Sequence, residues 1–213
     1  MTTTGTAALV TAVETTWTAI RENHPDTPEV IVTVGAGSGG RGGGLTLGHF
    51  APSRWVRGED DVHELFVGGE GLARGAAAVL GTLLHEAAHG IASTREIQDT
   101  SRQGRYHNKK FRALAAEVGI EVEHSQQLGY STTTVPDATA QRYAAEVAAL
   151  AAAMSAYRRA EVGAEGRTSN NNGASLVCGC GRKIRASRSV VEAGPILCGL
   201  CGEPFAAPEE DEG

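Results

Sequence analysis

Residues 73–93, ARGAAAVLGTLLHEAAHGIAS, constrain the fold more than any other stretch of this chain. The segment reads as a helix that is apolar nearly all round, and such a helix has to sit inside a core rather than on a surface. Yet it carries His85, Glu86 and His89. Burying two imidazoles and a carboxyl is costly unless each finds a partner. The spacing supplies one. Histidines at i and i+4 lie one turn apart on the same helix face, so His85 and His89 can reach a single metal ion. Glu86 stands beside the first of them, placed to take a proton from water rather than to bind the metal.

A metal site that keeps one position open for chemistry takes three protein ligands. The extended pattern HExxHxxGxxH is not present, because Ala92 and Arg95 stand where it needs Gly and His. The third ligand must come from Glu96, Asp99, His107, Glu117, His124, His49 or His63. Local context favours His107. It lies in Arg105-Tyr106-His107-Asn108-Lys109-Lys110-Phe111, at an expected helix start. Phe111, four residues on, can anchor that helix in the core, while the stretch after His89 returns the chain to the metal.

Cysteine is the second constraint. Cys178, Cys180, Cys198 and Cys201 are the only cysteines among 213 residues. A disulfide-stapled secreted protein spreads its cysteines through the fold, so a local cluster points to a metal knuckle. A CxC and a CxxC, every Cys followed by Gly, are expected to hold one structural zinc ion in a ribbon. A redox CxxC or reversible disulfides is the other reading. A module of about thirty residues buries too little core to fold alone, so the metal would be its main folding energy. The N-terminus MTTTGTAALVTAVETTW has no basic leader followed by an apolar run. Nor does any apolar stretch approach the roughly 18–20 residues of a membrane span. The expectation is a soluble cytoplasmic protein with no membrane partner, its oligomeric state left open.

With 41% apolar residues the chain can bury a sizeable core. Leu9, Val13, Trp17 and Ile20 share one side of a helix over residues 8–20, which His24-Pro25-Asp26 ends. Strands are expected at Glu29–Val34, Leu45–Phe50 and Glu64–Val67, and a helix from His107 or Asn108 to Val118. Val135-Pro136-Asp137 opens a helix of about 25 residues with Tyr143, Val147, Leu150, Met154 and Tyr157 along one seam. That seam is expected to pack back on the preceding domain, with a coiled-coil dimer as the other reading. The organisation that follows is an α+β domain over 1–134, an amphipathic helix 135–162, a polar linker 163–174, the Cys module 175–206 and an acidic tail 207–213. Seven of the ten residues 35–44 are Gly, and Gly35–Gly40 formally matches GxGxxG. No helix pattern follows it, so it reads as a mobile hairpin loop rather than a dinucleotide site.

HEAAHGIA, the third histidine in GRYHNKKF and the Cys module behind a linker resemble the SprT-like family, which includes bacterial SprT proteins and the Spartan proteases. The resemblance covers roughly residues 45–130 and 175–205. It implies a zincin-like metallopeptidase core, a small sheet packed on the active-site helix, with a long C-terminal helix and a zinc ribbon. It also implies a catalytic zinc on His85, His89 and His107, with Glu86 as the catalytic base, and a protein or peptide substrate paired to the strand before the active helix. Tyr106, Arg105 and Lys109, near the third ligand, are candidates to stabilise the transition state. The readings set against a peptidase are a non-catalytic zinc-containing DNA- or protein-binding module and a regulatory peptidase of the ImmA/IrrE type.

Net charge is -6 with pI near 5.7, which argues against a generally basic nucleic-acid coat. Residues 95–112 nevertheless carry six Arg or Lys against two acids, +4 locally and so -10 elsewhere. The Cys module adds Arg182, Lys183, Arg185 and Arg188. With Arg102 and Lys110 these are candidate phosphate contacts, and the resemblance makes DNA a candidate partner. A solvated basic face with no nucleic acid is the equal alternative.

Overall fold

The apolar helix does sit in a core. A computed structural model describes residues 5–38, 44–160 and 173–207. The chain divides into one unit, Met1–Gly163, and a second, Ala164–Gly213.

The first unit is mixed α and β. Helix α1 (Gly5–Asn23) buries Leu9, Val13, Trp17 and Ile20 on one stripe, and the Trp17 indole donates to Pro28 O at 3.0 Å. Strands β1 (Val30–Gly35), β2 (Gly48–Arg57) and β3 (Asp60–Gly68) form a sheet in the order β1-β3-β2. β3 is parallel to β1 and antiparallel to β2. The Gly-rich segment therefore does not close a hairpin: it leads from β1 across the sheet to β2, on the far side of β3. Residues 39–43 of it lie outside the described residues. The strand before the active helix, β3, is central, so the edges of this sheet are β1 and β2, and β2 is the one beside Glu86. This corrects the expected place for strand addition, because only an edge strand has unpaired backbone groups to offer.

A 3-10 turn, Gly69–Arg74, then feeds α2 (Ala76–Thr94). Val79, Leu80, Leu83, Leu84, Ala87, Ala88 and Ile91 of α2 are all buried and span half the circumference of the helix, with His85 and His89 on the opposite side. The remaining elements surround it. β4 (Thr100–Ser101), β5 (Tyr106–His107), β6 (Glu121–Ser125) and β7 (Gly129–Thr134) make a second sheet in the order β4-β5-β7-β6, and α3 (Lys109–Glu117) lies between β5 and β6 in sequence. α2 contacts α1, α3, β2 and β7, so one helix touches both sheets.

The expected long helix is two pieces, α4 (Asp137–Arg142) and α5 (Ala144–Ala153). The i to i−4 hydrogen bonds continue past the junction, Tyr143 N to Thr139 O and Val147 N to Tyr143 O. Tyr143 and Leu150 are buried, and Val147 and Met154 pack against the same core, so the seam folds back as expected. Tyr157 does not join it and is 61% exposed. The chain has already left the helix there: Arg158 N donates to Gly69 O, and its guanidinium pairs with Glu70 at 2.6 Å. Glu70 is buried and also accepts from Ser38 Oγ and the Gly37 N–H. The Ser38 hydroxyl first, then the Gly37 N–H and Arg158, hold its pKa down at about 2. An anionic Glu70 thus ties the first residues after β1 and the segment after α5 to the turn that launches α2.

The second unit holds a β8 (Ala174–Val177)–β9 (Lys183–Ala186) antiparallel pair and a short helix α6 (Arg188–Ala193). Ala174, expected in the linker, starts β8; residues 163–172 of that linker and 208–213 of the expected tail lie outside the described residues. Among the described residues no helix is long and apolar enough to cross a membrane.

Candidate metal centres

His85 and His89 project from α2 one turn apart, as their spacing requires. His107 arrives differently from expectation: it lies in the short strand β5, and the helix start belongs to Asn108. The Asn108 side chain caps α3 by accepting from the N–H groups of Lys110 and Phe111. β7 holds His107 in place. His107 N donates to Leu128 O at 2.9 Å, and at Gly129, with φ +71, a Cβ would stand 2.0 Å from His107 O. Only glycine allows that approach. Phe111 is the floor beneath the cluster, its ring 4.6, 4.6 and 4.5 Å from those of His85, His89 and His107.

The three imidazoles converge through Nε2. His107 Nε2 lies 3.2 Å from that of His85 and 3.1 Å from that of His89. Each Nδ1 is turned outward onto an oxygen. His89 Nδ1 meets Asp99 Oδ2 at 2.5 Å, His107 Nδ1 meets Leu128 O at 3.3 Å, and His85 Nδ1 meets Thr133 Oγ1 at 2.9 Å. A carbonyl and a carboxylate only accept, so the protons of His107 and His89 sit on Nδ1 and their Nε2 atoms present bare lone pairs. Thr133 Oγ1 donates to Ser131 O, which leaves it to accept from His85 in the same way. Three lone pairs turned on one point repel unless a cation lies between them. Imidazole nitrogens about 2.0–2.1 Å from a tetrahedral ion are about 3.3 Å apart, close to the spacings here. The donor set fits a divalent metal ion, and no fourth donor joins the cluster among the described residues.

The surroundings favour neutral ligands at two of the three positions. Burial holds the His85 pKa well below the usual histidine value, reinforced by His89 and His107, and burial lowers that of His107 too. At His89 burial also acts downward, but the Asp99 hydrogen bond and the charge of Glu86 outweigh it and the net shift is upward. Asp99 is therefore a partner of a ligand and not a ligand, a role sequence reasoning did not separate. Asp99→Ala should weaken metal binding at this cluster about 10–100-fold, read by competition with a chromophoric chelator. Unchanged affinity would contradict the role.

Glu86 is buried and not part of the converging set. Its Oε2 accepts from Phe50 N of β2 at 2.8 Å, which fixes the carboxylate between α2 and the open strand edge. Burial raises its pKa above the usual carboxylate value, against the opposing pull of His89 and of the Phe50 N–H. Glu86, His85 and His107 line a cavity of about 760 Å³ on one side and a cleft of about 480 Å³ on the other. Gly48 of β2 borders both, so the two adjoin at the histidine cluster, one toward each end of a groove beside that strand.

The other candidates are accounted for elsewhere. Glu96 is exposed, Glu117 pairs with Arg95, and His124 bonds the Tyr106 hydroxyl. His49 pairs with Glu64, while His63 accepts from Ser53 N. Tyr106, Arg105 and Lys109, expected at the transition state, line neither cavity: Tyr106 is turned onto His124, and Arg105 and Lys109 are exposed. The +4 stretch is weaker than its count, since Arg95 is bound to Asp26 and Glu117. Of the candidate phosphate contacts, Arg102 lies over the Tyr106 ring, Arg188 pairs with Glu192, and Arg182 donates to Cys198 Sγ. Lys110, Lys183 and Arg185 are exposed.

The second unit gathers the four thiols. The Sγ atoms of Cys178, Cys180, Cys198 and Cys201 all lie within 4.8 Å of one another, with Cys178 and Cys180 at 3.2 Å, and none is in a disulfide. Each pair sits in a tight turn. Gly181 N returns to Cys178 O and Gly202 N to Cys198 O, both at 2.8 Å, and both glycines have positive φ. The CxC turn closes over three residues where the CxxC closes over four, which accommodates the missing residue. Backbone N–H groups of Cys201 and Leu200 pull the Cys198 thiol down, which favours its thiolate. This cluster, too, can hold a metal ion. Comparison with protein-family models, curated proteins and solved structures finds no match to this chain.

Proposed function

We propose that this chain is a zinc-dependent metalloendopeptidase of the SprT-like kind, hydrolysing peptide bonds of protein substrates. The observation that carries the reading is Glu86: a buried carboxylate next to three converging imidazoles, outside the ligand set, facing a groove. A purely structural site closes with four protein ligands, as the cysteines do. The histidine cluster has three and opens onto the groove, and it keeps a carboxylate that metal retention alone does not need.

His85, His89 and His107 would hold a zinc ion, which would supply Lewis acidity to the bound water and the scissile carbonyl. The chain's residues do the rest. The unpaired edge of β2 receives an extended peptide by strand addition, laying it across the groove. Glu86, held by Phe50 N, accepts the proton of the attacking water and delivers it to the leaving amine. Asp99, Leu128 O and Thr133 hold the three imidazoles in the tautomer that keeps Nε2 free. In the second unit the four cysteines would hold a structural zinc. Proteins associated with or crosslinked to DNA are one substrate class that the resemblance offers.

Metal dependence tests the reading. Stripping the protein with a chelator should abolish cleavage of an unfolded protein such as casein, and stoichiometric zinc should restore it in the wild type but not in His107→Ala. Full cleavage by the stripped protein would refute it.

A further inference from the structure

The two halves of the groove differ in charge. The cleft toward Phe50 and Pro52 contains Asp99 as well as Glu86. The cavity toward Leu45 is walled by Leu45, Leu47, Ala77, Ala78 and Val135 with the hydroxyl-bearing Ser131–Thr134, Glu86 borders it too, and among the described residues its one permanent cation is Arg74. Arg74 is exposed at the end of the turn before α2, and its guanidinium is tethered onto that helix: Nη2 donates to Thr82 Oγ1 at 2.7 Å and to Ala78 O at 3.4 Å. Both acceptors are neutral. By contrast Arg57, Arg95, Arg158 and Arg188 each meet a carboxylate of the chain. A guanidinium has five N–H donors, so Arg74 keeps donors to spare for a bidentate anion.

Its position relative to the chemistry follows from helix geometry. Thr82 and Glu86 are four residues apart on one face of α2, about 6 Å along the axis. Gly48 of β2 rests on both, since a Cβ there would stand 2.6 Å from Thr82 and 3.4 Å from Glu86. A peptide added to β2 in the antiparallel sense, the more stable ladder, runs from the Pro52 end toward Leu45. Its residues after the cut therefore pass over the Arg74 cavity. At about 3.4 Å per extended residue, the guanidinium stands one or two residues beyond the scissile bond.

We infer that Arg74 makes this cavity a subsite for a substrate carboxylate one or two residues after the cut. The inference rests on the peptidase reading for what "the cut" means, while the subsite itself is a binding property. The carboxylate comes either from an Asp or Glu side chain or from the free C-terminus of a peptide ending there. The guanidinium of Arg74 disfavours a lysine or arginine side chain beside it.

The experiment uses the full chain and a peptide set cut at one mapped position, with Glu, Gln, Leu or Lys after the cut and with C-terminal acid or amide. For the wild type, kcat/KM should favour Glu over Gln about 10–100-fold, the range of a charge-assisted hydrogen-bonded contact. Arg74→Glu should invert the order of Glu and Lys, and Arg74→Met should bring the Glu/Gln ratio to about 1. If short peptides with a free acid are favoured over their amides whatever the side chain, the terminus is the source of the carboxylate. A second readout does not need turnover: labelled Glu and Gln peptides are titrated onto the Glu86→Gln chain by fluorescence anisotropy, and their affinities should follow the same order. Equal use and equal binding of Glu and Gln peptides together with no preference for free acid over amide, or an acid preference that survives Arg74→Glu, overturns the inference. Acidic preference in binding without any cleavage by the wild type would keep the subsite and overturn the peptidase reading instead.

Discussion

Glu86→Gln is expected to remove peptide-bond hydrolysis while both metal clusters stay filled. The substitution keeps the shape of the side chain and an oxygen to accept from Phe50 N, so the contact between α2 and β2 survives. Glu86 lies outside both ligand sets, so metal content should not change. What is lost is the only feature Gln cannot reproduce, a group that takes up a proton and gives it back. General acid–base assistance of this kind contributes on the order of 10²–10⁴-fold to a rate. At 1.36 kcal/mol for each factor of ten, that is about 3–5 kcal/mol of barrier. The loss should appear in kcat far more than in KM, because a base acts on the transition state rather than on substrate binding. A variant that cleaves at the wild-type rate would remove the catalytic assignment. One that loses the metal as well would make Glu86 part of the metal site.

Metal removal should unfold the second unit and spare the first. Among the described residues of that unit only Leu176, Cys178 and Cys198 are buried, so two of its three buried side chains are metal-ligand candidates. One buried leucine is worth about 1.5–3 kcal/mol, whereas structural zinc in small domains contributes about 10–16 kcal/mol of apparent binding energy. Without the ion, four thiols within 4.8 Å of one another are held together only by their backbone turns and weak sulfur contacts. The first unit rests on Leu80, Leu83, Leu84, Ile91, Phe111 and their neighbours, an apolar core independent of metal. Amide resonances of residues 174–206 should therefore collapse to random-coil positions on chelation, with those of α1 and α2 dispersed as before. Cys198→Ser should have the same effect without chelator. A second unit that stays dispersed with both metals verified absent would show that its backbone turns suffice.

Local signals carried much of the candidate site, and long-range pairing hid the rest. The α2 helix and its His85–Glu86–His89 set were readable because both the apolar period and the ligand spacing lie within one turn. His107 was reached for a partly different reason from the one that operates. The helix start belongs to Asn108, a good N-cap, and His107 precedes it in an extended strand. Its true support, Leu128 O and Gly129, comes from β7, and nothing near His107 announces that pairing. The β6 and β7 strands escaped notice because their sequences, EVEHS and GYSTTT, are mostly polar and only partly buried. Thr133, the partner of His85, went with them. The β2 strand was expected to end at Phe50, but it runs on to Arg57 through a bulge at Ser53. Sheet order is the other item of information that periodicity lacks. Each strand of the first sheet was anticipated, yet only topology puts β3 in the centre and leaves β2 as the edge beside Glu86. The same holds for Arg74, which is an ordinary surface arginine until the turn places it over Thr82.

The central claim, that the histidine cluster and Glu86 hydrolyse peptide bonds, is tested most directly by looking for new chain ends. Zinc-loaded full-length protein is incubated with an unfolded protein in water enriched in oxygen-18, and the products are identified by mass spectrometry. Hydrolysis by this site yields internal fragments whose new C-terminal carboxyls carry the label, with wild type but not with Glu86→Gln. No labelled ends from the loaded wild type, or equal amounts from Glu86→Gln, would contradict it.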